Sequence, residues 1–347
     1  MSIIGSHDFF IQYHLTERCN LRCKHCYQTG RGSSEMSLPE IREAVAEVSR
    51  LIEDWTQTYD IVFSPSFNVT GGEPFLRQDI FEILEDIGRG GFDIYLLSNG
   101  TLITADRAKR LEALGVKGVQ VSIEGPERVH EAVRGKGTFH QALKGVQHLL
   151  EAGITVTLNT TLSEINAEYF MDVVDLASSV GVQRLGFSRL VPSGRGGELI
   201  DRMLKRERVR ELYQAIASLH TNELKIVTGD PIASQMSSDT NDSGGAFPIG
   251  GCAAGLSGLT FLPDGTITPC RRLAIPIGNL RKDSLREIWS TSEVLGALRD
   301  KTKYTGKCGR CKRWDTCRGC RAIAYSYSQY RGEHDFLAED PQCFLKE

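Results

Sequence analysis

The chain has 347 residues, 40% hydrophobic and 24% charged, with a net charge of −3, which gives room for one large α/β domain and a smaller one. Lys and Arg are scattered rather than gathered in a stripe, so the electrostatic footprint of a nucleic-acid binder is missing. No apolar run reaches the length of a membrane span, and Met1–Asp8 has neither the basic nor the apolar region of a signal peptide, so a cytoplasmic protein is expected.

In chain order, Phe10–Leu15 reads as a first strand. Ser37, with Glu40 three residues on, forms a capping box for a helix whose Ile41, Val45, Val48, Leu51 and Ile52 repeat on one face. Phe67–Val69 is a strand leading into Gly71-Gly72-Glu73-Pro74. A helix follows over about 78–88, then a strand over 93–97 ending in Ser98-Asn99-Gly100. Thr104 caps a further helix that Gly115 ends. Strands over 118–123, 154–160 and 183–187 alternate with helices near 138–152 and over 166–180. A long helix over about 202–222 and a strand near 224–227 come next. Residues 229–251, rich in Ser, Asp, Asn and Gly, read as a linker or loop.

Six strand–helix units in alternation predict a parallel sheet with right-handed crossovers, either a partial barrel or an open sheet. Chemistry in such folds gathers at the carboxyl ends of the strands. The loop after the first strand, Gly71–Pro74, Ser98–Gly100, Ser122 and Asn159 all end or follow a strand, so they converge on one rim.

The ten cysteines fall in two groups, Cys19, Cys23 and Cys26 near the start and Cys252, Cys270, Cys308, Cys311, Cys317, Cys320 and Cys343 in the last third. In a reducing compartment such clusters are metal ligands rather than disulfides. The first group has Cys-x3-Cys-x2-Cys spacing. Structural zinc takes four closed ligands, and His25, lying between two of the cysteines, is poorly placed to be the fourth. Three thiolates on a tight loop instead suit an iron–sulfur cube with one iron left open.

This run resembles the signature of the radical S-adenosylmethionine (SAM) superfamily, and Gly71-Gly72-Glu73-Pro74 resembles that family's second signature. The resemblance implies a partial (β/α)6 TIM-like barrel over residues 1–228, whose open iron chelates SAM. It implies reductive cleavage of SAM to methionine and a 5′-deoxyadenosyl radical that abstracts hydrogen, at potentials iron–sulfur clusters reach only near their extreme of about −700 mV. Site residues follow from it: Gly71, Gly72, Glu73 and Pro74 at the SAM ammonium group, and Tyr27 near the adenine. Asn99 and Ser122 would meet the ribose and carboxylate, Arg134 would hold the carboxylate, and Leu190, in Arg189–Gly196, would lie on the adenine side.

Cys252 to Cys343 resembles the seven-cysteine SPASM module, here over 252–347, with Phe261–Thr268 as a β-hairpin on an Asp-Gly turn. A zinc ribbon on Cys308, Cys311, Cys317 and Cys320 would leave Cys252, Cys270 and Cys343 unexplained. The module implies two auxiliary clusters, for three 4Fe–4S clusters in all. Cys308, Cys311, Cys317 and Cys343 would close the distal one, and Cys252, Cys270 and Cys320 would hold the inner one with a place open. Arg271, Arg272 and Asp264 lie near the inner group in sequence, although solvation at the surface is the ordinary fate of such residues.

The leading functional expectation is a maturase that abstracts hydrogen from a peptide or protein and installs a thioether or carbon–carbon crosslink, with a flavodoxin- or ferredoxin-type electron donor. Against a leader-peptide substrate, the chain starts almost at its first strand. The alternative is side-chain modification or decarboxylation of a tetrapyrrole, since Arg318–Ala322 and Ala338–Cys343 resemble the haem and haem d1 branch. An alternative of another class is an iron–sulfur electron carrier, which would need no Gly71–Pro74 loop. No catalytic base is identifiable from the sequence.

Overall fold

The computed structural model describes residues 7–28, 34–219, 221, 223–236 and 251–345. Seven strands form a parallel run in chain order: β1 (His7–His14), β2 (Phe63–Thr70), β3 (Asp93–Ser98), β4 (Gly118–Ser122), β5 (Val156–Leu162), β6 (Arg184–Arg189) and β7 (Lys225–Thr228). Helices cross between them: α1 (Leu38–Tyr59), α2 (Ile80–Arg89), α3 (Ala105–Ala113), α4 (Glu127–Arg134), α5 (Thr138–Glu151), α6 (Phe170–Val180) and α7 (Arg206–Ala217). Because strand order follows chain order and parallel crossovers are right-handed, the helices all lie on one face and the sheet curls as a partial barrel.

The capping box at Ser37 is present, with the Glu40 carboxylate accepting from the Ser37 N–H at 2.7 Å. Ile41, Ala44, Val45, Val48, Leu51, Ile52 and Trp55 form the buried stripe of α1. On the strands the pattern has a different meaning. Val119, Val121, Leu158 and Thr160 are buried on the helix-facing side, while Gln120, Ser122, Asn159 and Thr161 alternate with them and face a cavity. A parallel sheet buried on both faces would be apolar throughout, so the polar alternation marks a hollow interior.

Three features differ from expectation. The strand expected near 224–227 is present as β7, but it follows a shorter helix than 202–222. Gly194–Arg202 is wound as 3-10 turns, and Met203 and Lys205 are extended, so α7 starts only at Arg206. The helix α4 follows Gly125-Pro126, and residues 167–169 form a 3-10 turn before α6 begins at Phe170. Gly229–Met236 is packed rather than loose: Asp230 is buried, Ile232 is fully enclosed, and Pro231–Met236 forms a 3-10 turn. The rest of the 229–251 segment, apart from Gly251, lies outside the described residues.

The C-terminal third joins the same sheet. Strand β8 (Gly258–Phe261) pairs in parallel with β1, Phe10 opposite Gly258 and Tyr13 opposite Phe261. It turns through Asp264-Gly265, where Gly265 has φ +83°, into β9 (Thr266–Thr268), and β10 (Gly278–Asn279) completes the edge. The hairpin expected around the Asp-Gly turn is therefore formed, and it extends the barrel sheet to ten strands. Phe9 and Trp55 pack edge-on with each other, and Phe9 does so with Trp289 on α8 (Leu285–Thr291), at centroid distances of 5.1 and 5.4 Å. Helices α9 (Glu293–Arg299), α10 (Gly306–Arg310) and α11 (Arg321–Tyr330) surround the C-terminal cysteines. No helix among the described residues is long and apolar enough to cross a membrane.

Candidate active site at the carboxyl rim

Strand β1 delivers the first cysteine loop, and two neighbouring segments clamp it. On one side, Gly72 N–H donates to the Thr16 carbonyl at 2.7 Å and Glu73 N–H to the Arg18 carbonyl at 2.9 Å. A Cβ on Gly72 would stand 2.2 Å from the Arg18 oxygen, and one on Gly71 (φ +149°) would stand 2.5 Å from the Thr16 oxygen. The two glycines thus let two loops pack backbone to backbone. On the other side, Lys24 N–H donates to the Val133 carbonyl, Gly196 N–H to the Cys26 carbonyl, and Arg195 to the Cys23 carbonyl, at 2.9, 3.1 and 3.1 Å.

Cys19, Cys23 and Cys26 line one cleft of about 950 Å³, measured to its open mouth, together with Tyr27, Gly71, Gly72, Asn99, Ser122 and Arg134. Glu73, Pro74 and Leu190 are buried and lie outside the cleft lining. The Glu73 carboxylate turns away from the cleft and accepts from Ser98 Oγ at 2.9 Å and from the N–H groups of Asn99 and Phe75 at 2.9 and 3.4 Å. Burial pushes this carboxyl up to about 7, against the pull of those donors. Its role here is to tie the end of β3 to the glycine loop. Leu190 is held by its N–H on the Leu162 carbonyl, with its side chain in the core.

Asn99 and Arg134 line the cleft but are already partnered. Asn99 Nδ2 donates to Asn20 Oδ1 at 2.9 Å, and its Oδ1 accepts from the Thr101 N–H, so it steadies the cysteine loop. Arg134 makes a buried pair with Glu124 at 2.5 Å, and His25 Nε2 lies 3.3 Å from the same carboxylate. Burial acts to raise the Glu124 carboxyl, but Arg134 and His25 outweigh it and hold the group well below the usual range. Glu124 was not singled out from sequence. Its signal was the strand end Ser122-Ile123-Glu124 before Gly125-Pro126, the start of α4. His25 faces Glu124 rather than completing a fourth position beside the three thiols.

The C-terminal cysteines occupy two neighbourhoods. Gln235 Nε2 donates to Cys317 Sγ at 3.7 Å and to Cys343 Sγ at 3.5 Å, and Arg321 donates to Cys308 Sγ at 3.6 Å. Cys320 and Cys270 both act on the Arg272 guanidinium: burial pulls it down, and Cys320, Cys270, Asp230 and Tyr27 together more than offset that. The two-residue gap at Cys317–Cys320 is a left-handed pair, Arg318 (φ +61°) and Gly319 (φ +60°), and Arg318 reaches back to the Cys252 carbonyl. Arg271 and Arg272, expected at the surface, instead line the cleft.

A buried network ties this region to β6. Arg189, 1% exposed, donates to Asp230 at 2.6 and 2.8 Å and to Asp340 at 2.9 and 2.8 Å. Asp340 also accepts from the N–H groups of Cys320 and Gln342 at 2.8 and 3.0 Å, and Tyr213 donates to Asp230. Burial acts to raise the Asp340 carboxyl, but Arg189 and these N–H groups overcome it and hold it below its ordinary value.

All ten cysteines are free thiols, and burial pushes Cys19 up to about 11 and Cys320 up to about 12. Ionised sulfur at these positions therefore calls for a metal to neutralise it. Among the described residues no three His, Cys, Asp or Glu side chains stand close enough to share one ion, whereas in a cube each thiolate has an iron of its own. Three loop thiols, with the neighbouring His25 imidazole turned to Glu124, fit a cube with an open iron.

Comparison with known proteins identifies the chain. Residues 13–177 match the radical SAM superfamily and residues 252–321 an iron–sulfur cluster-binding SPASM domain. The chain is 32% identical to an AdoMet-dependent heme synthase of Nitratidesulfovibrio vulgaris, over 97% of this chain and 92% of that protein. It is 28% identical to mycofactocin maturase MftC of Mycolicibacterium smegmatis, over 91% of this chain and 78% of that protein. The crystal structure of anSMEcpe with bound AdoMet shares the fold, with a TM-score of 0.72 and 19% identity over 96% of this chain and 94% of that one. These matches bring SAM, a 4Fe–4S cluster and auxiliary iron–sulfur clusters with them. The chain belongs to the radical SAM superfamily, as an enzyme with a C-terminal SPASM domain.

Proposed function

We propose that this enzyme modifies propionate side chains of a tetrapyrrole by hydrogen abstraction, the haem-type alternative among the expectations above. The observation that carries the reading is the 32% identity to a heme synthase across nearly the whole of both chains. When bound, SAM and the first cluster supply a 5′-deoxyadenosyl radical that takes a hydrogen atom from an unactivated carbon. The chain's own residues bind, orient and shield. Cys19, Cys23 and Cys26 would hold the first cluster, and the Gly71–Gly72 backbone, Tyr27, Ser122 and Arg134 would cradle SAM around it. Glu73, Pro74, Asn99 and Leu190 would support that cradle from behind or beside it. Cys308, Cys311, Cys317 and Cys343 would hold a distal auxiliary cluster, and Cys252, Cys270 and Cys320 an inner one, making three 4Fe–4S clusters.

Per propionate carboxylate, the net change to a vinyl group is loss of carbon dioxide, one hydrogen atom and one electron. Bound SAM would supply the deoxyadenosyl group that takes the hydrogen atom, and an auxiliary cluster held by the C-terminal cysteines would be the acceptor for the electron. A cytoplasmic flavodoxin or ferredoxin would supply the electron that starts each turnover. The test is anaerobic incubation with SAM, dithionite and iron coproporphyrin III, read by mass spectrometry. Loss of carbon dioxide and two hydrogens per propionic acid side chain is expected, and unchanged porphyrin beside accumulating deoxyadenosine counts against the reading.

A second reading, crosslinking of a peptide, is favoured by the inner cysteine group, whose three thiols leave a position for a substrate thiolate. It is supported also by the likeness to mycofactocin maturase. A cysteine-containing peptide that shifts the auxiliary-cluster spectrum, where porphyrin does not, would decide for it.

A further inference from the structure

The cleft contains five arginines, and three of them are partnered. Arg134 pairs with Glu124, Arg189 with Asp230 and Asp340, and Arg195 donates to the Cys23 carbonyl. Arg271 and Arg272 line the same cleft and have no carboxylate partner among the described residues. Arg272 Nε is buried with no hydrogen-bond partner among the described residues. The Arg271 guanidinium lies over the Tyr27 ring, 5.8 Å from its centre. Asp230 also acts on Arg272, but both its oxygens are engaged by Arg189.

Two adjacent guanidinium groups, one with a buried idle donor, line the cleft that Cys19, Cys23 and Cys26 also line, with Arg271 over Tyr27, the residue that follows Cys26. A buried donor left unpaired is costly, and a buried cation more so. The sulfurs of Cys270 and Cys320 lie near but cannot match the planar fork of a guanidinium, which fits two carboxylate oxygens at once. We propose that Arg271 and Arg272 form a carboxylate subsite for the substrate, in the cleft that the first cysteine loop lines. The subsite rests on the reading above and deepens it. It would fix a propionate so that the carbons beside the carboxylate, rather than the macrocycle, are presented to the radical. It also supplies a reason why Cys270, two residues past the end of β9, is followed directly by two arginines.

The test uses the anaerobically reconstituted full chain and titrates iron coproporphyrin III and its tetramethyl ester by the Soret band. Arg272→Gln and Arg271→Gln should each weaken binding of the acid by about tenfold to a hundredfold, with Arg272→Lys in between. The ester should bind the parent weakly and be indifferent to the substitutions. SAM affinity, substrate-free SAM cleavage and iron content should match the parent. Variants that bind the acid as the parent does, or that lose acid and ester equally, overturn the subsite. So does a fall in iron or SAM binding that tracks the loss of porphyrin, which would make the arginines cluster or SAM supports. A parent that binds no porphyrin instead overturns the tetrapyrrole reading. The subsite is then judged by whether glutarate protects Arg271 and Arg272 from phenylglyoxal, with unprotected labelling counting against it.

Discussion

The sharpest structural expectation concerns Asp340, which joins the tail of the C-terminal cysteine module to the barrel. Its carboxylate accepts two N–H groups of Arg189 and the backbone N–H groups of Cys320 and Gln342, in a fully buried setting. Asp340→Ala leaves those two backbone donors buried without acceptors, at about 1–3 kcal/mol each. Arg189 keeps both oxygens of Asp230 and the Gln342 side chain, so its charge stays compensated and the full penalty of a broken buried pair is not incurred. The sum is about 4 kcal/mol, equivalent to a melting temperature lower by about 5 °C in a chain of this size. Asp340→Asn retains one acceptor oxygen but turns an amide toward the remaining donors, and should lose about half as much. Thermal unfolding followed by circular dichroism, with iron assayed on the same samples, measures both. The iron lost should come from the auxiliary clusters first, because Cys320 is the residue Asp340 holds. An alanine variant that melts with the parent, or an asparagine variant as damaged as the alanine one, would refute the reasoning.

Further outcomes are expected elsewhere in the molecule. Gly72→Ala places a methyl group against the Arg18 carbonyl, so it should shift the first cysteine loop and reduce deoxyadenosine formation by about a hundredfold. Chromatographic assay at saturating SAM checks this, and an unchanged rate would disprove the close-packing role. The Glu40 carboxyl is pulled down to about 2 by its bond to Arg281 at 2.6 Å and by the Ser37 N–H. A lowered folded-state value stabilises above the ordinary Glu value near about 4.3 and is lost as pH falls toward 2. Being half-exposed, the pair is worth under about 1 kcal/mol. Urea midpoints of the parent and Glu40→Gln should therefore differ at pH 6 and converge below about pH 3; a constant gap argues against the pair. A chain ending at Met236 loses β8 and leaves the Phe10–Tyr13 backbone of β1 as an open edge, so it should self-associate in size-exclusion chromatography. A monomeric, folded fragment would show that the barrel does not need the C-terminal strand.

Much of the site was legible because its signals are local. Cys19, Cys23 and Cys26 share a short loop, and the glycines that pack against it follow a strand. The helix α1 was readable from one capping box and one apolar stripe. What escaped depends on partners distant in sequence. Gly258–Phe261 is a four-residue stretch, Gly-Leu-Thr-Phe, with nothing in it to name β1 as its neighbour. Glu73 was expected to face a ligand, and only the folded arrangement brings Ser98 and Asn99 to its carboxylate. Arg271 and Arg272 were expected in water because most arginines are; their enclosure follows from β8 and β9 lying against the barrel. The segment after β7 looked like a linker by composition, yet Asp230 within it meets Arg189, a pairing no local pattern announces.

The placement of β8 beside β1 has a consequence for how the protein is made. A ribosome adding about 5–20 residues per second completes β1 tens of seconds before Gly258 emerges. During that interval the nascent chain carries the three loop thiols next to a strand still missing one of its two neighbours. Iron–sulfur assembly on those thiols is therefore best timed after release, and oxygen reaching the growing chain would strike them first.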